Sequence, residues 1–566
     1  LLRSTAPELI DQNDPDPGSS DRISRQSRLF RTYRSIVQPF LDSGIKRMVL
    51  FVLVIVLLLI SCSLALFRLV PLKLLPFDNK NEFQIVIDMP EGTTLERTNA
   101  VVQDFETFLK TVPEITSMVS YTGDASPMDF NGMVRHYYLR KAANLADIRV
   151  NLTGKDVRDQ QSHAIVLRLR NDLEAIARKN NAKVKLVEVP PGPPVLSTLV
   201  GELYADADVP YHQLIQAADH LKKIMDEEAF VVDIDDMAET FHERIDFIID
   251  KEKAALHGIS TRQIIATLQG MIQGMTPAHL HLPRERNPLY IRVIMPRKHR
   301  SGIVALTSVP LRSQTGSMVP LAELVHVQIL PNQQPIYHKN LDRVVYVLAD
   351  TAGRAPAEAI LDMQKKLKKD PLPKGIQVNW AGEGEWKITI RVFRDMGIAF
   401  AAALIGIYIL LVIQSGSFFM PVLIMTAVPL TLLGIMPGFL VLNLVAASPV
   451  DGFSNPIFFT ATSMIGMIAL GGIVIRNALV LIEFIQDSLK QGMDLKEAIL
   501  QSGAIRMRPI LLTALTTAIG AFPITLDPVF SGLAWALIFG LAASTLFTLV
   551  LIPVSYYAVY HKSNAA

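Results

Sequence analysis

The sequence predicts a membrane α-helical bundle joined to extracytoplasmic α+β domains of split βαβ type, and three observations lead there. Half of the 566 residues are hydrophobic and only 19% are charged, against about 25% in soluble domains, and mean hydropathy is +0.30. The apolar residues collect in six runs of about the 20 residues needed to cross a hydrocarbon layer about 30 Å thick. Between the first run and the other five lies a long polar stretch in which strand-like alternation and helical stripes take turns.

The apolar runs fall at 48–70, 396–413, 418–445, 458–485, 509–526 and 532–559. Ahead of the first, Arg22, Arg25, Arg28, Arg31, Arg34, Lys46 and Arg47 face a single acid, Asp42, and such a flank stays in the cytoplasm. The polar stretch is then extracytoplasmic. Six spans return the C-terminal tail, and the loop bearing Lys490, Lys496, Arg506 and Arg508, to the inside. Within 29–41, Leu29, Phe30, Tyr33, Ile36, Val37, Phe40 and Leu41 recur at helical spacing with arginines opposite. That pattern predicts an amphipathic helix in the membrane interface, the alternative being a surface helix packed on its own protein. The opening Leu1-Leu2-Arg3, without Met or signal peptide, reads as a fragment or a split product.

In the polar stretch, 83–89 alternates as a strand, Thr93, Thr94 and Glu96 mark a helix start, and Val101, Val102, Phe105, Phe108 and Leu109 form its stripe. Strands follow at 118–121 and 146–152, a helix at 163–179, strands at 183–189 and 201–205, a helix at 211–228 and a strand at 231–236. A further strand, helix and strand occupy 343–349, 355–368 and 377–381. Two α+β sandwiches, the second interrupted, account for this order. The divisions are a linker with the amphipathic helix (1–47), a span (48–70), a first α+β subdomain (71–165), a second in two parts (166–242 and 331–390), an interrupting unit (243–330) and a five-span bundle (391–566).

Composition excludes several function classes. Lys plus Arg (55) against Asp plus Glu (53) gives +2, too balanced for a nucleic-acid binder. The one cysteine, Cys62, lies in an apolar run, so no disulfide framework or Cys-based metal centre is expected. No phosphate-cradling Gly-x-x-x-x-Gly-Lys-Ser/Thr loop, nucleophile elbow or His-Glu-x-x-His helix occurs, so neither enzyme activity nor a cofactor is expected. His279-Leu-His281 lacks a third metal ligand.

Five motifs then point one way. Leu75-Pro-Phe-Asp78, Met89-Pro-Glu-Gly-Thr-Thr-Leu-Glu-Arg-Thr98 and the segment from Asp246 through Lys251 to Ser260 resemble resistance-nodulation-division (RND) efflux permeases, as do Arg476-Asn-Ala-Leu-Val-Leu-Ile-Glu-Phe484 and Arg506-Met-Arg-Pro-Ile-Leu-Leu-Thr513. The resemblance covers nearly the whole chain but only the C-terminal half of such a permease: six of normally twelve spans, two periplasmic porter subdomains of ferredoxin-like type and an inserted docking subdomain. It implies a Gram-negative inner-membrane protein with many spans, driven by proton antiport. Implied partners are the missing N-terminal half, a homotrimer or a trimer with a paralogue, a periplasmic adaptor protein, an outer-membrane channel and the lipid membrane, with no nucleic acid.

The same resemblance puts Arg476 at the position of the family's relay lysine, with Asn477 beside it, Arg506 at its relay arginine and Thr513 at its relay hydroxyl. The two relay aspartates belong to the absent half. A charge at mid-membrane costs about 2.5 to 3.5 kcal/mol, so Arg476 needs a polar partner or must snorkel to an interface. Arg does not give up its proton in a protein, so Arg476 acts as a fixed countercharge and carboxylates must carry the proton. Glu483, the only acid within the spans, lies near the cytoplasmic end, so this polypeptide alone is expected not to couple protons.

Gly123, Phe130, Gly132 and Met133 mark a flexible loop with an apolar tip, comparable to the family loop that divides its drug pockets; a plain hairpin connection is the other reading. Gly274, His279 and His281 belong to a hairpin (270–288) that by resemblance reaches a neighbouring subunit. The expected function is drug efflux. The alternatives are a copper or silver exporter using some of the 20 methionines, or a structural half-subunit that does not transport.

Overall fold

The computed structural model describes residues 28–192 and 194–561, so Arg22 and Arg25 of the basic flank lie outside the described residues. The chain forms two compact units, one running to Ala238 and resuming at Ile336, the other Glu239–Pro335.

In the first unit, alternation of apolar residues produces two antiparallel sheets of matching topology. Strands β1 (Glu82–Asp88), β2 (Ile115–Thr122), β3 (Leu145–Leu152) and β4 (Lys183–Glu188) assemble in the order β2-β3-β1-β4. Ile85 stands between Ile148 and Leu186. Helices Leu95–Leu109 and Ser162–Lys179 cover this face with Val101, Phe105, Leu109, Ile165 and Leu173, all buried. Thr94 caps the first helix, its side chain accepting from Arg97 N, as expected at a Thr N-cap. Because the second helix and β4 complete this sheet, the first subdomain runs through Glu188. A boundary at 165 would cut it. Residue 165 lies in the first turn of the helix Ser162–Lys179, which packs on this sheet.

The second sheet is built from β5 (Leu199–Ala205), β6 (Val231–Asp236), and, after the second unit, β13 (His338–Lys339), β14 (Asp342–Thr351) and β15 (Ile376–Asn379). Its order β6-β14-β5-β15 repeats the first sheet's connectivity, with β13 hairpinned onto β14. Helices Tyr211–Asp226 and Pro356–Lys369 bury Leu214, Leu221, Ala359 and Met363 against it. The second unit is thus inserted in sequence at the connection that 123–144 fills in the first sheet.

The second unit pairs β7 (Glu243–Ile249) with β12 (Val325–Pro331) as its base. Within it β8 (Met275–Leu280) pairs with β9 (Leu289–Val293), and β10 (Pro310–Arg312) with β11 (Met318–Pro320). Ile264, Leu311, Leu321 and Leu324 form its small core.

Six helices among the described residues are long and apolar enough to cross a membrane: Gly44–Leu66, Glu385–Ser415, Phe419–Ala446, Ala461–Lys490, Leu495–Leu526 and Ser531–Tyr560. Each lies over a predicted run, with shifted edges. The first stops at Leu66 because Phe67 caps it and Arg68 takes the left-handed φ of +60°. The third breaks into Phe419–Met425 and Leu432–Ala446 around Pro429, which lacks a backbone N–H. The fifth starts at Leu495 behind an Asp494 cap, because Ala498, Ile499 and Leu500 bury their side chains in the bundle.

The helix Arg28–Asp42 departs from the interfacial expectation. Phe30, Tyr33, Val37 and Leu41 are buried in the protein, and Tyr33 Oη donates to Leu549 O at 2.9 Å. Its apolar stripe has found protein, as the alternative reading had it.

Close helix packing in the bundle depends on glycine. A Cβ on Gly434 would stand 2.0 Å from Phe539 O, and one on Gly438 would meet the Phe539 ring. Gly434→Leu is therefore expected to cost at least the 1 to 3 kcal/mol typical of overpacking. Gly472→Leu, with nothing within 4 Å of the added Cβ, should be near neutral. Melting temperatures of the two variants in one detergent check this.

Candidate functional site

Helix Ala461–Lys490 carries Arg476 and Asn477 on different faces. Asn477 is buried in the bundle with Val474, Ala478 and Leu481, while Arg476 is exposed. Among the described residues no carboxylate lies within ion-pair distance of Arg476, and no hydrogen bond joins it to Arg506 or Thr513. The neighbouring helix Leu495–Ala521 is continuous through Pro509 and carries both Arg506 and Thr513. Arg506 is half-buried, its guanidinium 4.7 Å from the Phe484 ring centroid and its Nε buried without a partner. Thr513 Oγ1 donates to Ile510 O at 3.0 Å, a helix-internal bond that leaves the residue exposed. Glu483 accepts from Gln414 Nε2 at 2.8 Å.

The coverage of the helices is uneven. In the most apolar window of Ala461–Lys490, 50% of residues are buried, but only 11% in Leu495–Leu526 and 6% in Glu385–Ser415. Arg476 and Thr513 therefore sit on faces that the described residues leave open, with a fixed cation displayed on an apolar helix.

The loop residues are more constrained than a flexible tip. Gly123 adopts φ +75° and donates its N–H to Leu145 O at 2.8 Å. Gly132 is buried inside a short helix, Phe130–Val134, that Asp129 caps through Gly132 N at 2.6 Å. Asp129 is in turn held by Arg149 at 2.7 Å, and Arg140 reaches Asp88 at 2.6 Å. The connection is thus pinned over the sheet, while Met128, Phe130 and Met133 stay exposed. These half-buried polar anchors replace the looseness expected from its glycines.

In the second unit, every residue of β8 and β9 is exposed. The His279 and His281 rings lie 4.3 Å apart, with Tyr290 6.4 Å from His279. Gly274 turns into the hairpin at φ +84°. Among the described residues no three His, Cys, Asp or Glu are grouped to hold a metal ion.

A second charged cluster escaped the sequence reading. Where the two α+β subdomains of the first unit meet, the ion pairs that cross between them take their cations from the first and their anions from the second. Arg170 binds Asp233 at 2.5 Å, Lys183 and Lys185 bind Asp235 at 2.6 and 2.5 Å, and Arg135 faces Asp350 at 3.7 Å. Leu186 N donates to Asp233 Oδ2 at 3.2 Å. Burial pushes the Asp235 carboxyl up, but Lys185 and Lys183 outweigh it and hold the group well below the usual carboxylate range. Lys185 is held above its ordinary value in the same way, Asp235 and Asp88 overcoming its desolvation.

Comparison with known proteins follows the same architecture. Residues 9–560 match the AcrB/AcrD/AcrF family. The chain is 23% identical over 518 residues to the swarming motility protein SwrC of Bacillus subtilis, covering 89% of this chain and 45% of that protein. It is 23% identical over 482 residues to the nickel and cobalt resistance protein CnrA of Cupriavidus metallidurans, covering 82% and 42%. It spans about half the length of the curated relatives it matches. A crystal structure of a heavy metal efflux pump shares its fold at TM-score 0.74 and 20% identity, over 94% of this chain and 52% of that one. Such permeases are multi-pass proteins of the inner membrane with large periplasmic domains, and that is the localisation of this chain. The chain belongs to the AcrB/AcrD/AcrF family of RND permeases.

Proposed function

We propose that the chain forms the fixed-cation side of a proton-driven efflux permease, supplying six of its twelve spans and two porter subdomains with a docking subdomain between their strands. The observation that carries this reading is Arg476, exposed within an apolar helix long enough to cross a membrane, with no carboxylate among the described residues within ion-pair distance. An unpaired guanidinium facing lipid is costly. Acidic groups from a stretch of polypeptide beyond these residues, the N-terminal half of the permease, would pair with it. When they take up protons, the Arg is released and the helices shift. Arg506, half-buried on the neighbouring helix, is the second cation of this relay, whereas Asn477 faces the bundle interior and would support the helix from behind. The working assembly is a trimer of permeases, homotypic or with a paralogue, joined to a periplasmic adaptor and an outer-membrane channel, with the Gly274, His279 and His281 hairpin docking on a neighbouring subunit.

The cargo of this reading is an amphiphilic drug, supported by the Phe130 and Met133 side chains held outward on a pinned frame. A second reading, export of a heavy-metal cation such as copper or silver, is favoured by the similarity to CnrA, a protein named for nickel and cobalt resistance. Vesicles containing the chain with its N-terminal half decide between them. Dye export that falls about 3- to 10-fold in Phe130→Ala, the size of one aromatic contact, supports the amphiphile. Metal export indifferent to that substitution, with no dye movement, overturns it.

A further inference from the structure

We propose that a partly enclosed chamber around Lys73, at the junction of the first span with the two subdomains, is a binding site for a small organic carboxylate. The chamber holds about 120 Å³ and its walls include Leu75, Pro76, Leu186, Val189 and Pro190, apolar surfaces that suit a short carbon chain.

Its polar lining is unsatisfied in a consistent way. Lys73 is only 5% exposed, and no carboxylate among the described residues lies within ion-pair distance of it. The ammonium instead rests 3.1 Å from the Phe77 ring centroid and 5.3 Å from that of Phe458. His163, also 5% exposed, stacks at 3.4 Å on Phe77, and one ring can offer each neighbour only its own face. His163 Nδ1 is 2.7 Å from Glu188 Oε1, which leaves Nε2 buried without a partner. Glu385 Oε2 is likewise buried and unpartnered.

The other charges at the chamber are already committed: Arg170 to Asp233, Arg135 to Asp350 and Asp78 to Lys80. Lys73 is the uncommitted cation. A carboxylate would accept from its ammonium. A hydroxyl or amine on the same molecule would donate to Glu385 Oε2 or, with Nδ1–H directed at Glu188, to the unpartnered His163 Nε2. A dianionic phosphate fits less well, because Glu385 and Glu188 face the same space. Burial lowers Lys73 to about 8, with Glu385, Glu188 and Asp350 working against the drop. The occupied site should therefore weaken in alkali. Lys73 N also donates to Phe459 O at 3.2 Å, and Ala461 N to Leu74 O at 3.1 Å, so the chamber floor is tied to the start of the Arg476 helix.

The test is calorimetric titration and thermal shift of the full chain in nanodiscs, with sodium lactate and sodium butyrate against sodium chloride at matched ionic strength. Saturable binding of the carboxylates is expected below pH 8, tighter for lactate, weakening about tenfold or more at pH 9.5 as the ammonium is lost. Lys73→Met should abolish it. Removing a buried charge in favour of an apolar chain of similar size is often tolerated, and a separate His163→Gln variant, expected to bind several-fold more weakly, covers the case in which Lys73→Met does not fold. Absence of saturable binding in the native chain, or equal binding in both variants, overturns the proposal and leaves the chamber to water.

Discussion

Arg476→Leu is expected to abolish proton-coupled export by the assembled permease while leaving the protein folded and in the membrane. The side chain is exposed and bonds to nothing among the described residues, so its loss removes no internal contact, and an apolar residue on that face lowers the cost of membrane burial by about 2.5 to 3.5 kcal/mol. What disappears is the countercharge toward which a deprotonated carboxylate is drawn. A population shift between two transport states from 1:99 to 99:1 needs about 5.5 kcal/mol of differential interaction, and a desolvated ion pair is the largest such source in this region. Arg476→Lys gives a sharper outcome. A lysine keeps the cation but can lose its proton when buried, so coupling should survive with a steeper decline toward alkaline pH than the native Arg shows. Dye or metal efflux measured against a set pH gradient, with protein levels matched, reads both variants. Full coupling in Arg476→Leu would remove the residue from the mechanism.

Asp235→Ala is expected to cost about 3 kcal/mol, because breaking a buried ion pair leaves its partner charge uncompensated. Lys185 would retain Asp88 at 3.4 Å, which places the effect at the lower end of the range. The exposed Lys183 contributes little. Asp235→Leu combined with Lys185→Met should be less destabilised than Asp235→Ala alone, since both charges are then gone. Melting curves of the three variants test this. The pH dependence has a definite sign. Asp235, Asp88 and Asp350 titrate below their usual range in the fold, because the cations facing them outweigh burial. Their contribution is fully present above the unfolded value of about 3.9 and is lost as pH falls through the folded values. Lys185 is raised, so its contribution is complete below about 10.4 and is lost only as pH climbs through the folded value. Asp233 runs the other way, its burial outweighing Arg170. Across pH 5 to 9 the three lowered carboxylates and Lys185 therefore hold their charges, and the junction is a permanent polar contact.

Much of the fold was legible because periodicity reports burial directly. The alternation at Phe83, Ile85 and Ile87 and the Val101, Phe105, Leu109 stripe identified the strand and helix that form the first core. Arg476 stood out in the sequence because a charge in an apolar run is conspicuous. The charged junction was not. Its signal was present as Asp233 and Asp235 on alternate positions of β6 and Lys183 and Lys185 on alternate positions of β4, but period-2 charge reads equally well as a solvated strand face. Only tertiary pairing separates the two. The amphipathic helix at 28–42 misled for a related reason: its stripe specified something apolar to lie against, and lipid and the bundle core that holds Leu495 and Ile499 meet that requirement alike. The pinned loop was missed because Asp129 and Arg149 lie 20 residues apart in sequence.

Proton flux in vesicles reconstituted with these 566 residues alone tests the central claim most directly. The account predicts no cargo-dependent proton movement across a pH gradient, because Arg476 cannot carry a proton and no carboxylate among the described residues pairs with it. It predicts that flux appears when the N-terminal half is added. Cargo-coupled proton flux by the 566 residues without any other polypeptide would contradict it.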